Sequence, residues 1–383
     1  MKSVRPLLLV TSLVVVFVTV LALRAGDPFH AESIVAPDDV AAPTVAAVTV
    51  PTVETTQTTI PERPGYVVTL SGAIVSPSPG EASDVVAAGG VLFPILAEVG
   101  DGYRVLTTCN EEAWVAADHV EVGFVPVTDD RLVEHAVIVV DPGHGLPDLG
   151  AVGPTGLSET EVNMAVSAMI VELLRQANDI DWESGAVTAG SEVPAVGSAI
   201  MTRFPSGPNG GDYQLGLSFR AEVANAAGAD ALVSIHHNTQ PETNLEHPGA
   251  EAFVSVDDPE SQRLGGLIVD ELRRGLARFE ADWTGSTGSG VISRQGTDRD
   301  DFYSLLARSD SPAVIVEGAY ISNPTEEALA RTDDFRQAYA DGVYRALIRF
   351  ITTDDNPIPP PEPVLWNVDT GSPSMANCAI PSP

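Results

Sequence analysis

The feature of this sequence that most constrains its fold is an alternation of short apolar runs with amphipathic stretches between residues 136 and 352. The strand-like runs are AVIVVD, ALVSIH and AVIVEG, and the helix-like stretches are VNMAVSAMIVELLRQA, FRAEVANAAG, SQRLGGLIVDELRRGLARF and FRQAYADGVYRALIRFI. Continuously apolar strands are typical of a sheet that helices cover on both faces. A segment of this length also fits one domain. We therefore predict a single α/β domain over residues 136–352.

The first 25 residues have the pattern of an export signal. Two basic residues precede the uncharged run PLLLVTSLVVVFVTVLAL, and acidic residues begin only at Asp27. A positive start followed by an apolar segment indicates export. The run is at the short end for a membrane span, whereas the Arg-Ala-Gly that follows it is a poor cleavage site. We expect residues 1–25 to be either a signal peptide or a retained membrane anchor.

Three further segments flank the predicted α/β domain. Residues 26–64 are rich in Pro, Thr, Val and Ala and are predicted to be an extended linker. Residues 65–125 contain short β-like runs punctuated by Gly, Pro and Ser, which predicts a small all-β module. It looks somewhat like a bacterial SH3-type wall-binding module, and an accessory subdomain without a ligand is the alternative. Residues 353–383 are Pro-rich and predicted to be disordered.

Charge and cysteine content narrow the possible environments and partners. With 20 basic against 53 acidic residues, the chain has a formal charge of −33. Such a balance argues against a nucleic-acid partner, because no patch could neutralise many phosphates. Outside the cytoplasm the two cysteines, Cys109 and Cys378, could form a disulfide that ties the tail to the β module.

Histidines follow two of the predicted strands. AVIVVD runs into the sequence Pro-Gly-His144-Gly, and ALVSI runs into His236 and His237. The carboxyl edge of an open α/β sheet is where sites are built, and glycines beside His144 let the backbone bend sharply. A structural histidine in a tight turn is the alternative for His144. Because neighbouring strand residues point to opposite faces, only one of His236 and His237 is expected to enter a site.

A glutamate near the start of a predicted helix could join these histidines. In GLSETEVN, Ser158 and Glu161 have the spacing of a capping box, which leaves Glu159 free to point elsewhere. The alternative for Glu159 is an acid that is merely favoured by the helix dipole. Two histidines and one glutamate with an open fourth position form a catalytic rather than a structural zinc arrangement.

Another glutamate, Glu317, ends the apolar run AVIVEG. Burial at the end of such a strand would raise the pKa of its carboxyl group towards the range that is useful for a general base. The alternative is a buried acid that is paired with an arginine such as Arg203 or Arg220. The sequence Asn323-Pro324 shortly afterwards predicts another helix start.

These motifs occur in a fixed order that resembles a known family. The ordered set is DPGHG, GLSETEVN, TR, FRAEVANAAGAD, SIHHN and VEGAYISNPTEE. It is similar to the zinc N-acetylmuramoyl-L-alanine amidases of the Amidase_3 type, and the resemblance covers roughly residues 136 to 350. It implies a twisted, mostly parallel sheet of about six strands that is flanked by helices. The linker, β module and tail lie outside it.

The resemblance also implies a chemistry. In that family the matching residues bind one zinc ion, which implies His144, Glu159 and His236 as ligands. Glu317 matches the catalytic acid/base for hydrolysis of the amide between N-acetylmuramic acid and L-alanine. The position after the third ligand is commonly small in the family and is His237 here, so the choice between the two imidazoles stays open.

Further contacts to substrate are less specifically predicted. Arg203 and Arg220 could each contact a substrate carboxylate, and a fold-stabilising ion pair is the alternative for both. Asn238 could bind substrate or orient the ligands. Asp141 could also orient the ligands or stabilise its turn. Some family members carry an inserted helix that plugs the site, whereas the Gly and Pro content of residues 176–216 predicts a loop.

The expected setting is the bacterial cell wall or the outer face of the cytoplasmic membrane. Peptidoglycan is the expected partner, the membrane is contacted through residues 1–25 if they are retained, and no protein activator can be identified. Two other functions remain open: a different zinc peptidase that cuts within the stem peptide, and a non-catalytic peptidoglycan-binding protein. The filled ligand and base positions argue against the second.

Overall fold

A computed structural model describes residues 61–128, 130–203, 213–240, 243–298, 300–367 and 380–382. These residues belong to one compact unit that spans Thr58–Pro383. The predicted signal or anchor lies outside the described residues, as does the linker before residue 61. Within the described ranges, no helix has both the length and the apolar character needed to cross a membrane.

The first part of the unit is a seven-stranded antiparallel sheet, which we call the β module. Its strands lie in the order β3-β2-β6-β5-β4-β1-β7. They contain the short apolar runs from which the module was predicted. The strands are β1 (Glu62–Thr69), β2 (Ala73–Ser76), β3 (Val86–Ala87), β4 (Leu92–Val99), β5 (Gly102–Leu106), β6 (Glu112–Ala116) and β7 (Val120–Pro126).

The second part is an α/β domain, and its fold class agrees with the prediction. Its main sheet has the order β11-β8-β12-β17-β14-β16-β18. Strands β11, β8, β12 and β17 are mutually parallel, β14 is antiparallel to β17, and β16 and β18 run parallel to β14. The strands are β8 (Val137–Pro142), β9 (Asn178–Ile180), β10 (Val187–Ala189), β11 (Ser198–Met201), β12 (Ala231–Asn238), β13 (Asn244–Leu245), β14 (Glu251–Val254), β15 (Trp283–Thr284), β16 (Val291–Gln295), β17 (Ala313–Tyr320) and β18 (Val364–Leu365). The helices are α1 (Glu159–Leu174), α2 (Leu217–Ala227), α3 (Pro259–Leu276), α4 (Ser304–Arg308), α5 (Pro324–Ala330) and α6 (Asp333–Thr352).

Both faces of the main sheet are covered, which explains why its strands are apolar throughout. Ile138 and Val140 of β8 belong to the core that includes α1, α3 and α6. Val137 and Val139 belong to the opposite core, with α2 and α4. This alternation follows from the two-residue period of a strand. Each fully buried aliphatic side chain contributes roughly 1.5–3 kcal/mol to the free energy of unfolding.

The β module shares the second of these cores with the α/β domain. Val67 and Phe93 of the module are fully buried in the same apolar cluster as Phe219 of α2 and Val139 of β8. Helix α2 contacts both β1 and β4. The module is therefore part of the packing that covers one face of the main sheet.

Two segments were predicted from their Pro and Gly content. Residues 353–367 are not disordered, because β18 pairs with the edge strand β16 and Trp366 N donates to Gln295 O at 2.8 Å. Apolar side chains hold the tail in place: Ile358 packs on the first core and Ile380 on the second. The Pro-rich composition alone did not indicate these contacts. Residues 176–216, predicted as a loop, contain β9, β10 and β11 and no helix in their described part.

Only one of the two cysteines of the predicted disulfide is among the described residues. Cys109 is disulfide-bonded, whereas Cys378 lies outside the described residues. Three residues after Cys378, the tail contacts the β module, where Ala88 N donates to Pro381 O at 2.7 Å.

Helix α2 begins against a loop of the β module. Gly216 N donates to Thr108 O at 2.9 Å, and Phe219 N donates to Asn110 Oδ1 at 2.8 Å. Asn110 has φ of 64°, a left-handed conformation that asparagine tolerates better than most residues. The first amide groups of α2 are thus satisfied by another part of the fold.

We expect Asn110→Ala to lower the free energy of unfolding by about 2 kcal/mol, because the helix loses its cap and alanine is strained at positive φ. Asn110→Gly tolerates this φ and isolates the loss of the side-chain acceptor, which costs about 1 kcal/mol. Asn110→Asp keeps an acceptor and is the matched control. Urea unfolding measures all three. Equal stability of the alanine and aspartate variants would contradict the capping role.

Candidate active site

The loop after β8 is anchored by the buried carboxylate of Asp141. Its Oδ1 accepts from Thr202 Oγ1 at 2.5 Å and from Arg220 Nη1 at 2.6 Å, and its Oδ2 accepts from Ser234 Oγ at 2.6 Å. Burial would raise the pKa of Asp141, but the Arg220 charge and the two hydroxyl donors hold it below its ordinary value. Asp141 therefore stays ionised and stabilises its turn. This is one of the two roles that were predicted for it.

Two buried arginines bind the backbone of the same loop. Arg203 donates from Nε to Pro142 O at 3.2 Å and from Nη2 to Gly143 O at 3.0 Å. Arg220 donates from Nη1 to Pro142 O at 2.9 Å and from Nη2 to His144 O at 2.6 Å. Both side chains are buried and bound to the loop, as a role in stabilising the fold requires, and a contact with a substrate carboxylate stays a prediction. For Arg220 the alternative, an ion pair, is observed with Asp141.

The loop brings His144 to Glu159 of α1 and His236 of β12. One donor atom from each of the three residues lies within 4.8 Å of the other two. Glu159 Oε1 is 3.2 Å from His144 Nε2 and 2.9 Å from His236 Nδ1. A Cβ atom on Gly143 would collide with the His236 ring, which explains why only glycine fits there. We call these three residues the His-Glu-His cluster.

The donor atoms of the His-Glu-His cluster suit a divalent cation. Burial opposes ionisation of Glu159, but hydrogen bonds from His144 and His236 hold its pKa well below the ordinary value. Burial likewise opposes protonation of His144, but hydrogen bonds to Asp148 and Glu159 raise its pKa to about 9. A divalent cation that binds here displaces the proton of His144. An anionic oxygen and two imidazole nitrogens at this spacing are then a donor set that zinc accepts.

The start of α1 keeps Glu159 apart from Glu161, but by a different device from the predicted capping box. Ser158 occupies the cap position, yet its side chain makes no cap hydrogen bond. The first amide groups of α1 donate instead to carbonyl groups of residues 149–151. Glu161 is exposed and lies 3.6 Å from Arg336. Loop carbonyls therefore satisfy the amides of Glu159 and Thr160, and the Ser158 side chain does not form the predicted box.

His237 points to the opposite face of the sheet from His236, as strand alternation required. Its Nδ1 lies 2.9 Å from Asn163 Oδ1, and its ring makes an edge contact with Tyr339 at 5.4 Å. Burial lowers the pKa of His237 to about 4, so it is neutral. The structure thus places the imidazole ring of His236, and only the backbone amide of His237, beside the carboxylate of Glu159.

Asp148 is a residue of the site that the sequence analysis missed. Its Oδ2 lies 2.9 Å from Nδ1 of His144, which turns Nε2 of that ring towards Glu159. A short turn places it there, in which Gly145 and Asp148 exchange two backbone hydrogen bonds. The only sequence signal was an acid four residues after a histidine, which is too common to identify it.

Glu317 lies beside His236 on the neighbouring strand. The two are register partners in the parallel pair β12–β17. Its Oε2 is buried and has no hydrogen-bond partner among the described residues. Burial, and then the charge of Glu159, raise the pKa of Glu317 well above its ordinary value. This carboxyl group is not held in the ion pair that was the alternative prediction.

A second glutamate that the sequence analysis missed, Glu251, faces Glu317 across β14 and β17. Its carboxylate accepts from Tyr320 Oη at 2.9 Å, from Asn238 Nδ2 at 3.1 Å and from Ser286 N at 2.7 Å. Glu251 therefore fixes the ends of β12 and β17. The amide of Asn238, predicted to bind substrate or to orient ligands, is bound to this carboxylate.

The chain matches the family model Amidase_3, described as N-acetylmuramoyl-L-alanine amidase, over residues 138–186 and 198–349. It belongs to this family. The match contains every residue of the His-Glu-His cluster and Glu317. The β module and the tail lie outside it.

Individual relatives agree with the family match. A germination-specific N-acetylmuramoyl-L-alanine amidase of Bacillus subtilis is 27% identical over 229 residues, which cover 58% of this chain and 82% of the relative. The amidase AmiA of Escherichia coli is 27% identical over 249 residues, covering 57% of this chain and 78% of the relative. A solved amidase from Clostridium difficile is 20% identical with a TM-score of 0.42 and covers 57% of this chain and 98% of that one. The chain is thus an enzyme of the N-acetylmuramoyl-L-alanine amidase type.

We expect Asp148→Asn to weaken divalent-metal binding about 10- to 100-fold, because His144 loses the carboxylate that orients its ring. Competition against a chromophoric chelator measures the affinity. Asp118→Asn, which changes an exposed acid of the β module, is the matched control. Unchanged affinity in the Asp148 variant would show that the turn alone orients His144.

Proposed function

We propose that this chain hydrolyses the amide bond between N-acetylmuramic acid and L-alanine in bacterial peptidoglycan, using one zinc ion bound by His144, Glu159 and His236. The observation that carries the proposal is the convergence of these three donors beside Glu317, a buried carboxyl group with an unpartnered oxygen. Two imidazoles and one carboxylate leave a fourth position open for a water molecule or substrate, as in catalytic zinc sites.

A zinc ion held by His144, Glu159 and His236 would supply Lewis-acid chemistry, which polarises a carbonyl group and lowers the pKa of a bound water molecule. Glu317 takes the proton from the attacking water and delivers it to the leaving amine of L-alanine. Its raised pKa supports this role, since a carboxyl group must hold the proton between the two transfers. Its unpartnered Oε2 also leaves an acceptor for the water proton.

Other side chains keep these groups in place. Asp148 holds the Nδ1 edge of His144, and Tyr339 Oη donates to the backbone carbonyls of His236 and Val316 at 3.2 and 3.1 Å. Tyr339 therefore fixes adjacent positions of β12 and β17, the strands that carry His236 and Glu317. Such support limits the movement of the reacting groups.

The proposed substrate lies outside the cytoplasm, and the export pattern of residues 1–25 places the enzyme there. The cell wall or the outer face of the cytoplasmic membrane is its proposed location. If the segment is retained, it anchors the enzyme to the membrane. One relative has a name that refers to the cell wall. It is the probable cell wall amidase LytH of Staphylococcus aureus, which is 26% identical to this chain over 243 residues.

Purified protein incubated with peptidoglycan is expected to release intact stem peptides that carry a new amino group on L-alanine. Mass spectrometry and amino-terminal labelling identify the products. A chelator should abolish release, and added zinc should restore it. Cleavage within the stem peptide would instead support a different wall peptidase. Binding without any release would support a non-catalytic wall protein, and full activity without metal would overturn the zinc assignment.

We expect Glu317→Gln to lower kcat by about 10²- to 10⁴-fold, because glutamine cannot transfer the proton. Zinc content should be unchanged, since Glu317 is not a proposed ligand. Glu246→Gln, an exposed acid in the same domain, is the matched control. Turnover of the Glu317 variant at the parent rate would rule out its role as acid/base.

A further inference from the structure

An arginine held between aromatic rings lies on the sheet near Glu317. The Cζ atom of Arg294 is 3.9 Å from the ring centroid of Trp366 and 4.4 Å from that of Phe253. It is 5.7 Å from the ring of Tyr303, and Arg294 Nη1 donates to Tyr303 Oη. We call these four residues the Arg294 clamp.

The Arg294 clamp lies on the same face of the sheet as the carboxyl group of Glu317. In the antiparallel pair β14–β17, Glu251 is opposite Glu317 and Phe253 is opposite Ile315. Residues two apart on a strand share a face, so Phe253 lies one such step, about 7 Å, along the strand from the level of Glu317. The Arg294 charge also opposes the rise in the pKa of Glu317 that burial and Glu159 cause. The two groups therefore interact electrostatically.

Arg294 has binding capacity that the described part of the fold does not use. Its hydrogen bond to Tyr303 is its single side-chain bond there, and no carboxylate among those residues forms an ion pair with it. Arg345 and Arg349 of α6, by contrast, both pair with Glu271. Aromatic rings that stack on a guanidinium fix its plane and leave its edges for a carboxylate, which it can bind in a bidentate manner.

We propose that the Arg294 clamp binds a carboxylate of the stem peptide, carried by the residue that follows L-alanine. This inference rests on the proposed amidase function. An extended chain advances about 3.3–3.6 Å per residue, so a group on the second residue lies about 7 Å from the scissile bond. That length matches the step along the strand from the level of Glu317 to Phe253, the ring over which the Arg294 guanidinium lies. The second residue of such peptides is D-glutamate linked through its side chain, and its α-carboxylate is free in some walls and amidated in others.

The tail gives this chain its own version of the subsite. Trp366 is positioned by β18, and it lies outside the residues that match the family. Its backbone N donates to Gln295 O, directly after Arg294 in β16. Through Trp366, the tail would therefore contribute to substrate selection.

The test uses two soluble muropeptides that differ only at the second residue, D-glutamate with a free α-carboxylate against its α-amide, D-isoglutamine. For the parent enzyme we expect kcat/KM to be at least about ten-fold higher for the carboxylate, the effect of a charged hydrogen-bonded pair. Arg294→Gln should bring the ratio of the two values close to one. Arg294→Lys keeps the charge without the planar fork and should give an intermediate ratio. Trp366→Ala loosens the clamp and should also give an intermediate ratio.

The outcomes separate this inference from the proposed function. A parent that cleaves neither muropeptide contradicts the amidase function itself. A parent that cleaves both equally well overturns the clamp proposal alone. So does an Arg294→Gln variant that loses activity equally on both, because Arg294 would then act through Glu317 or through the fold. If the Arg294→Gln variant does not fold, the proposal is tested by two other measurements. These are the ratio of the two kcat/KM values for the parent and the same ratio for Trp366→Ala.

Discussion

The buried carboxylate of Asp141 is the interaction on which the rest of the site depends. It joins β8 to Thr202 beyond β11, to Ser234 of β12 and to Arg220 of α2. Arg220 in turn holds the carbonyl of His144. Removing one partner of such a buried pair typically costs about 3–5 kcal/mol, because the remaining charge is left uncompensated. The position of His144 is therefore set by charges that lie beneath the loop.

This dependence extends into the β module. Asn110 of the module accepts a hydrogen bond from Phe219 N in the first turn of α2, one residue before Arg220. The same helix is packed in the core that the module shares with the sheet. A wall-binding function for the module stays a prediction. Its structural function is independent of any ligand, because it begins and covers the helix that holds the His144 loop.

Sequence patterns predicted the α/β sheet, the region of the three cluster residues and the opposite directions of His236 and His237, since these follow from local periodicity. They did not predict Glu251 or Asp148, because those contacts depend on strand register and on a turn. The capping box predicted at Ser158 is not formed, because the Ser158 side chain makes no cap hydrogen bond, and loop carbonyls bind the first two amides of α1. Composition alone gave the wrong expectation for the tail. Its prolines predicted disorder, whereas β18 pairs with the edge strand β16 and orders the residues around Trp366.

Electrostatics connects the proposed chemistry with the proposed selectivity. Three carboxyl groups, those of Glu159, Glu251 and Glu317, lie near one edge of the sheet in a chain with a formal charge of −33. Like charges at such sites favour a shared proton or a cation. A divalent cation at Glu159 relieves one charge, and protonation of Glu317 during turnover relieves another. An anionic substrate would be repelled from this edge unless a cation received it, and on the same face of the sheet Arg294 presents an unpaired positive charge among the described residues. Selection for a carboxylate then depends on Arg294, whose charge offsets the same neighbouring acid that, together with burial, raises the pKa of Glu317.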